Sequence, residues 1–401
     1  MTDPGRHTES ATLRGAALFC STIGRSVALV LPGLLAPASA LGLDHVAFER
    51  DAKRFYVEGR VLVTAQDDGL LLLARDGVIW AIPPEERIRH TRDPLPFSPL
   101  TADELSEQLL AELPSSFKAH RTAHYLVLYD TSTAYAEWCG SLFERLYMAF
   151  TNYFGRRGVE LKEPEFPLVA TIFADRQAYL KCTRAELGGA GESIIGYFSL
   201  RTNRMTMYDL TGVERLRLPA GRGNASQIGR ILAQPQAQQQ VATIVHEATH
   251  QIAFNCGLHT RYSDCPLWFS EGIAVYFETP DLSSSRGWRG IGAVNRPRLV
   301  QFQQYLRHRP TDSLRTLIAT DQRFRDPKRA LDAYAEAWAL TYFLIRRHSD
   351  AYAGYLQQLS KKKPLLEDDA QTRIKQFEAA FGNLEQLDRE MVRYILRNTG
   401  R

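Results

Sequence analysis

Long runs of one charge are missing from this 401-residue chain: the longest basic run is Lys361-Lys362-Lys363, and 49 Lys and Arg stand against 45 Asp and Glu for a net charge of +4. A balance of that kind carries no footprint for a polyanion, so no nucleic-acid partner is expected. Compositional bias is also absent, since 27 Gly and 19 Pro are spread along a chain that is 44% hydrophobic, which excludes collagen-like, low-complexity and disordered classes. There is no internal repeat and no Gly-x-Ser-x-Gly elbow to carry a nucleophilic serine. Gly188-Gly189-Ala190-Gly191 is followed by no Lys-Ser/Thr pair, so it is expected to be a flexible loop and not a phosphate cradle. The one N-terminal apolar stretch, Val27 to Ala36, is broken by Pro32 and Gly33. It falls short of the roughly 20 residues a membrane helix needs, so no stable membrane span is expected. What remains is a globular chain of two or three folded units.

That apolar stretch follows Arg6, Arg14 and Arg25 and precedes Ala38-Ser39-Ala40, an order that predicts an export signal over residues 1–40. The chain is then expected in the periplasm, on the cell surface or secreted; a frayed tail or an uncleaved anchor is the alternative. Removing the signal takes away one of five cysteines and leaves Cys139, Cys182, Cys256 and Cys265. Four thiols in an oxidising compartment permit disulfides, with buried free thiols as the other outcome. A Cys256–Cys265 bridge would close a short loop in front of Trp268 to Glu278.

Residues 41–92 read as a small antiparallel β module, with strands Phe55–Thr64, Leu70–Ala74 and Val78–Ile82 separated by Asp-Gly turns. Its expected role is packing or partner binding. Residues 101–280 read as an α+β catalytic unit. It opens with the capping-box spelling Thr101-x-x-Glu104 and alternates strand and helix through Tyr125–Tyr129, a helix bearing Leu142, Leu146, Phe150 and Phe154, Leu168–Phe173, a helix from Asp175 to Leu187, and the strands Gly196–Phe198 and Asn203–Asp209. Residues 281–401 read as an all-α unit.

The chemistry lies between Val241 and Glu278. His246-Glu247-Ala248-Thr249-His250 sits in an apolar helical pattern, and residues four apart share a helix face, so both imidazoles can ligate one ion while Glu247 points at the remaining coordination position. A second helical pattern, Trp268 to Glu278, carries two carboxylates, the first of them Glu271, 21 positions after His250. Two His and one Glu form a standard ligand set for a catalytic zinc, which keeps one position open for water. Cys256, His259, Asp264 and Cys265 match no standard second metal spacing.

These residues resemble the gluzincin metallopeptidases, the group of thermolysin and the zinc aminopeptidases, whose pattern is HExxH followed after about twenty residues by a liganding Glu. The order Gly196-Tyr197-Phe198, Asn203-Arg204-Met205, HExxH, Tyr334 and Trp338-Ala339-Leu340 is similar to a bacterial secreted gluzincin branch catalogued as a domain of unknown function. The likeness covers roughly residues 120–400 and leaves out the β module. It implies a zincin-like catalytic domain of mixed sheet and active-site helix followed by a helical subdomain. It also implies His246, His250 and Glu271 as zinc ligands, Glu247 as general base, Glu278 as the acid that backs a ligating histidine, and Tyr334 as the hydrogen-bond donor to the transition-state oxyanion. The chain has no Gly-x-Met-Glu-Asn segment, the anchor for a substrate amino terminus in the exopeptidases.

The expected function is therefore an exported, zinc-dependent metallopeptidase acting on a peptide or protein substrate. Water activated by the zinc attacks the peptide bond and Glu247 is the general base. Two alternatives stand beside it: an exported binding or scaffold protein with a vestigial zinc site, and a zinc amidase acting on non-peptide material. A bland alternative also stands for Tyr334, whose spacing with Trp338 and Tyr342 is that of a core stripe.

Overall fold

The computed structural model describes residues 42–212, 225–279, 282 and 290–398; the export-signal reading falls on residues 1–40, outside them. The chain opens with a five-stranded antiparallel sheet: β1 (Leu43–Arg50), β2 (Lys53–Thr64), β3 (Leu70–Ala74), β4 (Ile79–Ile82) and β5 (Arg87–Asp93), in the order β4-β3-β2-β1-β5. β3 is an unbroken apolar run because both of its faces are covered. Leu70 and Leu72 join Val46, Phe48 and Ile82 on one side, while Leu71 and Leu73 join Ile79 and Phe166 on the other.

Three of these strands match the expected ones; β1 and β5 are additions. The β1–β2 turn is a two-residue Asp51-Ala52 loop with both φ values positive (52° and 58°), a geometry usually advertised by glycine. β5 is polar and largely exposed along its length. It is fastened by Asp44, which is wholly buried and accepts from Arg92 Nε and Nη2 (both 2.9 Å) and from the Val61 amide (3.0 Å), with His90 Nε2 at 2.7 Å.

Next come α1 (Ala102–Glu112), β6 (Lys118–Arg121), β7 (Tyr125–Tyr129), α2 (Thr133–Gly155), β8 (Leu168–Phe173), α3 (Arg176–Leu187), β9 (Gly196–Phe198) and β10 (Arg204–Tyr208). The capping box before α1 is formed: the Glu104 amide donates to Thr101 Oγ1 and the Thr101 amide to Glu104 Oε2. The second sheet runs β6-β7-β8-β10-β9, with β7, β8 and β10 parallel and the two edge strands antiparallel to their neighbours. The glycine-rich segment expected as a loop is instead a 3-10 helix, Gly188–Ser193, entered through Gly188 at φ 54°. The β module packs against the β9–β10 hairpin: the Ile79 amide donates to Arg201 O, Arg204 Nη2 to Asp76, and Arg261 Nη1 to the carbonyls of Gly77 and Leu200.

All later described elements are helical: α4 (Ala225–Leu232), α5 (Pro235–Asn255), α6 (Leu267–Phe277), α7 (Arg296–Tyr305), α8 (Ser313–Ala319), α9 (Gln322–Arg325), α10 (Ala330–Arg347), α11 (Ser349–Ser360), α12 (Ala370–Phe381) and α13 (Leu384–Asn398). The result is a mixed α+β chain with 13 α-helices among the described residues, none long and apolar enough to cross a membrane. Every residue of α6, and of α10 from Ala333 to Ile345, is buried, as expected of helices enclosed on all sides. The one charge inside that stretch of α10, Glu336, is matched by Arg309 and Arg323 and by Ser313 Oγ at 2.7 Å.

The two enclosed helices meet at Gly272, where a Cβ would lie 2.1 Å from Thr341 Oγ1 and 3.2 Å from the Ala337 carbonyl oxygen. Gly272→Ala is expected to destabilise the fold by about 1–3 kcal/mol through overpacking. Thr341→Ala in the same chain should return part of that loss. Thermal denaturation of the two variants checks this, and an unchanged melting temperature in Gly272→Ala contradicts the close approach.

Candidate metal centre

The centre is built on α5 and α6. Pro235 stands at the start of α5, where its missing N–H costs nothing, and the helix buries Val241, Ile244, Val245, Ala248 and Ile252. Its last turns are hooked to the second sheet: Gln251 Nε2 donates to the carbonyls of Val169 (2.9 Å) and Asn203 (3.1 Å), and the side chains of Asn203 and Asn255 exchange two hydrogen bonds of 2.8 Å. Asn203, at φ 61°, makes the tight turn into β10, a left-handed position that Asn tolerates better than most residues.

This placement fixes the face bearing His246 and His250. Their Nε2 atoms lie 3.1 Å apart, and Oε2 of Glu271, one turn into α6, is 3.0 Å from the first and 3.4 Å from the second. Four ligands at about 2.0–2.1 Å around a tetrahedral zinc stand about 3.3 Å from one another, so the three atoms already have the spacing of one coordination shell. The donor chemistry fits as well. His246 Nδ1 is 2.8 Å from Glu278 Oε1, which turns the Nε2 atom toward Glu271 and His250. One proton can bridge only a single pair of these three atoms, whereas a divalent cation satisfies all of them. Among the described residues no other trio of His, Cys, Asp or Glu converges in this way.

The charges around the centre are pushed apart. Burial would favour the neutral ring of His246, but the carboxylates of Glu271 and Glu278 on either side outweigh it and raise its pKa to about 10. Burial works against an ionised Glu271 too, yet the two imidazoles hold its carboxyl well below the usual range. Glu278 is likewise lowered, to about 2, with Arg298 and His246 overcoming burial. Glu247 goes the other way: burial raises its pKa despite the nearby imidazoles. Its Oε2 accepts the Phe198 amide of edge strand β9 at 2.9 Å.

The sequence-derived candidates thus gather at one place. Tyr334, from α10, is buried with its ring centroid 6.3 Å from that of His246. Trp338 and Tyr342, its partners in the apolar stripe, pack on each other. Three participants were not expected: the Phe198 amide, Asn295 and Arg298. Asn295 Nδ2 donates to Glu278 Oε2 (3.0 Å), and Arg298 donates to Oε2 through Nε (3.2 Å) and to Oε1 through Nη2 (3.0 Å). The Asn-x-Pro spelling at Asn295 signals a helix start, and Asn295 does cap α7. Nothing local signals its pairing with a carboxylate 17 residues earlier.

The Cys256–Cys265 bridge is not formed. Both thiols are free, and Cys265 Sγ lies 3.6 Å from His259 Nδ1. Ion pairs hold the segment instead: Asp264 meets Arg373 and Lys362, and Asp321 accepts the Leu267 amide and pairs with Arg373.

Residues 240–366 match a family model described as a protein of unknown function, DUF1570, which agrees with the likeness to a domain of unknown function. The matched stretch contains His246, Glu247, His250, Glu271, Glu278, Asn295, Arg298 and Tyr334. No curated protein matches the chain.

Proposed function

We propose that this chain is an exported zinc metallopeptidase of the gluzincin type, with a zincin-like catalytic domain that hydrolyses peptide bonds in a peptide or protein substrate. The observation that carries the reading is the convergence of His246 Nε2, His250 Nε2 and Glu271 Oε2 within 3.0–3.4 Å of one another beside a buried carboxyl on the same helix. Bound there, zinc supplies Lewis acidity that brings the pKa of a water toward about 7 and polarises a carbonyl. The chain's own groups do the rest. Glu247, its carboxyl raised by burial and its Oε2 anchored on the Phe198 amide, is the group assigned to take a proton and pass it to the departing amine. Tyr334, beside the His246 ring, is the donor assigned to the oxyanion of the substrate.

The purified chain is expected to carry one zinc. His250→Ala should abolish stoichiometric loading, and chelation should lower the melting temperature of the wild type because the ligands join α5 to α6. Elemental analysis of His250→Ala that finds undiminished zinc contradicts the ligand assignment. Glu247→Gln should keep both zinc and fold and lose turnover of a mixed peptide library by a factor of about 100 or more; full activity there excludes the mechanism. Tyr334→Phe keeps the ring. If the hydroxyl acts in the transition state, kcat falls by about 100-fold or more with KM and melting temperature nearly unchanged. An unaltered kcat assigns Tyr334 to the core alone.

A further inference from the structure

Glu278 is the residue that most needs outside support. It stands just past the last residue of α6, where the helix no longer fixes its backbone, yet it must hold the His246 ring at a set angle. Among the described residues the support comes from the start of α7. Each carboxylate oxygen receives two groups: Oε1 faces His246 Nδ1 (2.8 Å) and Arg298 Nη2 (3.0 Å), and Oε2 faces Arg298 Nε (3.2 Å) and Asn295 Nδ2 (3.0 Å). A carboxylate gripped through both oxygens by a planar fork cannot rotate about its terminal bond without breaking two charge-assisted hydrogen bonds. The fork is itself immobilised. Asn295 Oδ1 accepts the Arg298 amide at 3.3 Å while Asn295 Nδ2 also reaches the Val275 carbonyl at 3.2 Å, which stitches the first turn of α7 to the last turn of α6.

Arg298 has a second contact of consequence. Its guanidinium carbon lies 5.2 Å from the centroid of the Tyr334 ring, whose other neighbours include His246 and Phe324. A single side chain therefore touches both the carboxylate behind a ligating imidazole and the ring assigned to oxyanion stabilisation.

From this juxtaposition we infer that Arg298, assisted by Asn295, is the positioning residue of the metal centre: it sets the His246 ring through Glu278 and holds the Tyr334 ring against the same assembly. The inference rests on the metal-binding reading above and adds to it two residues that touch no ligand position. Lysine is no substitute, because a single ammonium cannot span both oxygens of Glu278 while also reaching the tyrosine ring.

The test compares full-length wild type with Arg298→Lys, Asn295→Ser and, as a control, Arg92→Lys. Arg92 likewise grips both oxygens of a buried carboxylate, Asp44, in the β module away from the centre. The readouts are the zinc dissociation constant by chelator competition, the visible spectrum of the cobalt(II)-loaded chain, and the melting temperature of the metal-free chain. Arg298→Lys is expected to weaken zinc binding by about 10-fold to 100-fold, the range for groups that orient a ligand, and to shift the cobalt bands. Asn295→Ser keeps a cap oxygen for α7 and removes one donor to Glu278, so it should weaken zinc by a smaller factor in a folded chain even if Arg298→Lys does not fold. Arg92→Lys should lower the melting temperature and leave both metal readouts unchanged. Zinc affinity and cobalt spectrum at wild-type values in Arg298→Lys, or in Asn295→Ser where Arg298→Lys is unfolded, overturn the inference while leaving the metal reading intact. A wild-type chain that takes up no zinc overturns both.

Discussion

The constraint on which the rest of this structure depends is the enclosure of two imidazoles and a carboxylate at one point that protons alone cannot satisfy. His246, His250 and Glu271 bring three lone-pair atoms to within 3.4 Å of one another in the interior, and an arrangement of that kind is retained at a large desolvation cost unless a cation shares it. The surrounding chain is organised to hold those atoms still. α5 is locked to the second sheet through Gln251 and Asn255, and α6 is pressed against α10 at a glycine contact that leaves no room for a methyl group. The carboxylate behind His246 is clamped from α7.

Two kinds of support divide the work. Apolar packing sets the distance between helices, because α6 and α10 are buried on every side and cannot shift without opening a cavity. Buried ion pairs set orientation. Asp264 and Asp321 with Arg373 place the chain entering α6, Glu336 with Arg309 and Arg323 anchors α10, and Glu278 with Arg298 aims the first histidine. Each carboxylate in this set has an arginine partner. The β module enters the same scheme from the far side, since it packs on the hairpin whose Phe198 amide holds Glu247.

What could be read from the sequence follows from how local each requirement is. The convergence of His246 and His250 was legible because residues four apart share one helix face. The approach of Glu271 to them was legible because the next apolar helix carries its first acid 21 positions after His250. The strands Tyr125–Tyr129 and Leu168–Phe173 were legible as continuous apolar runs. Strand β1 was hidden because its turn uses Asp51-Ala52 in place of glycine, and β5 because its hold on the sheet comes through one buried aspartate instead of apolar alternation. The roles of Asn295 and Arg298 were hidden because each depends on a contact with a carboxylate 17 to 20 residues away whose geometry exists only after α6 and α7 have packed. An even thiol count permits a Cys256–Cys265 bridge, yet both thiols are free and the ion pairs of Asp264 and Asp321 hold that segment.

The central claim is that this buried point is a coordination sphere of two histidines and one glutamate, and X-ray absorption spectroscopy of the zinc-loaded chain at the metal edge tests it most directly. The account predicts a first shell of nitrogen and oxygen only, at about 2.0–2.1 Å, with the outer scattering of two imidazole rings. A sulfur scatterer at about 2.3 Å would place the ion at a cysteine, and a shell with no imidazole scattering would place it away from His246 and His250; either result contradicts the account.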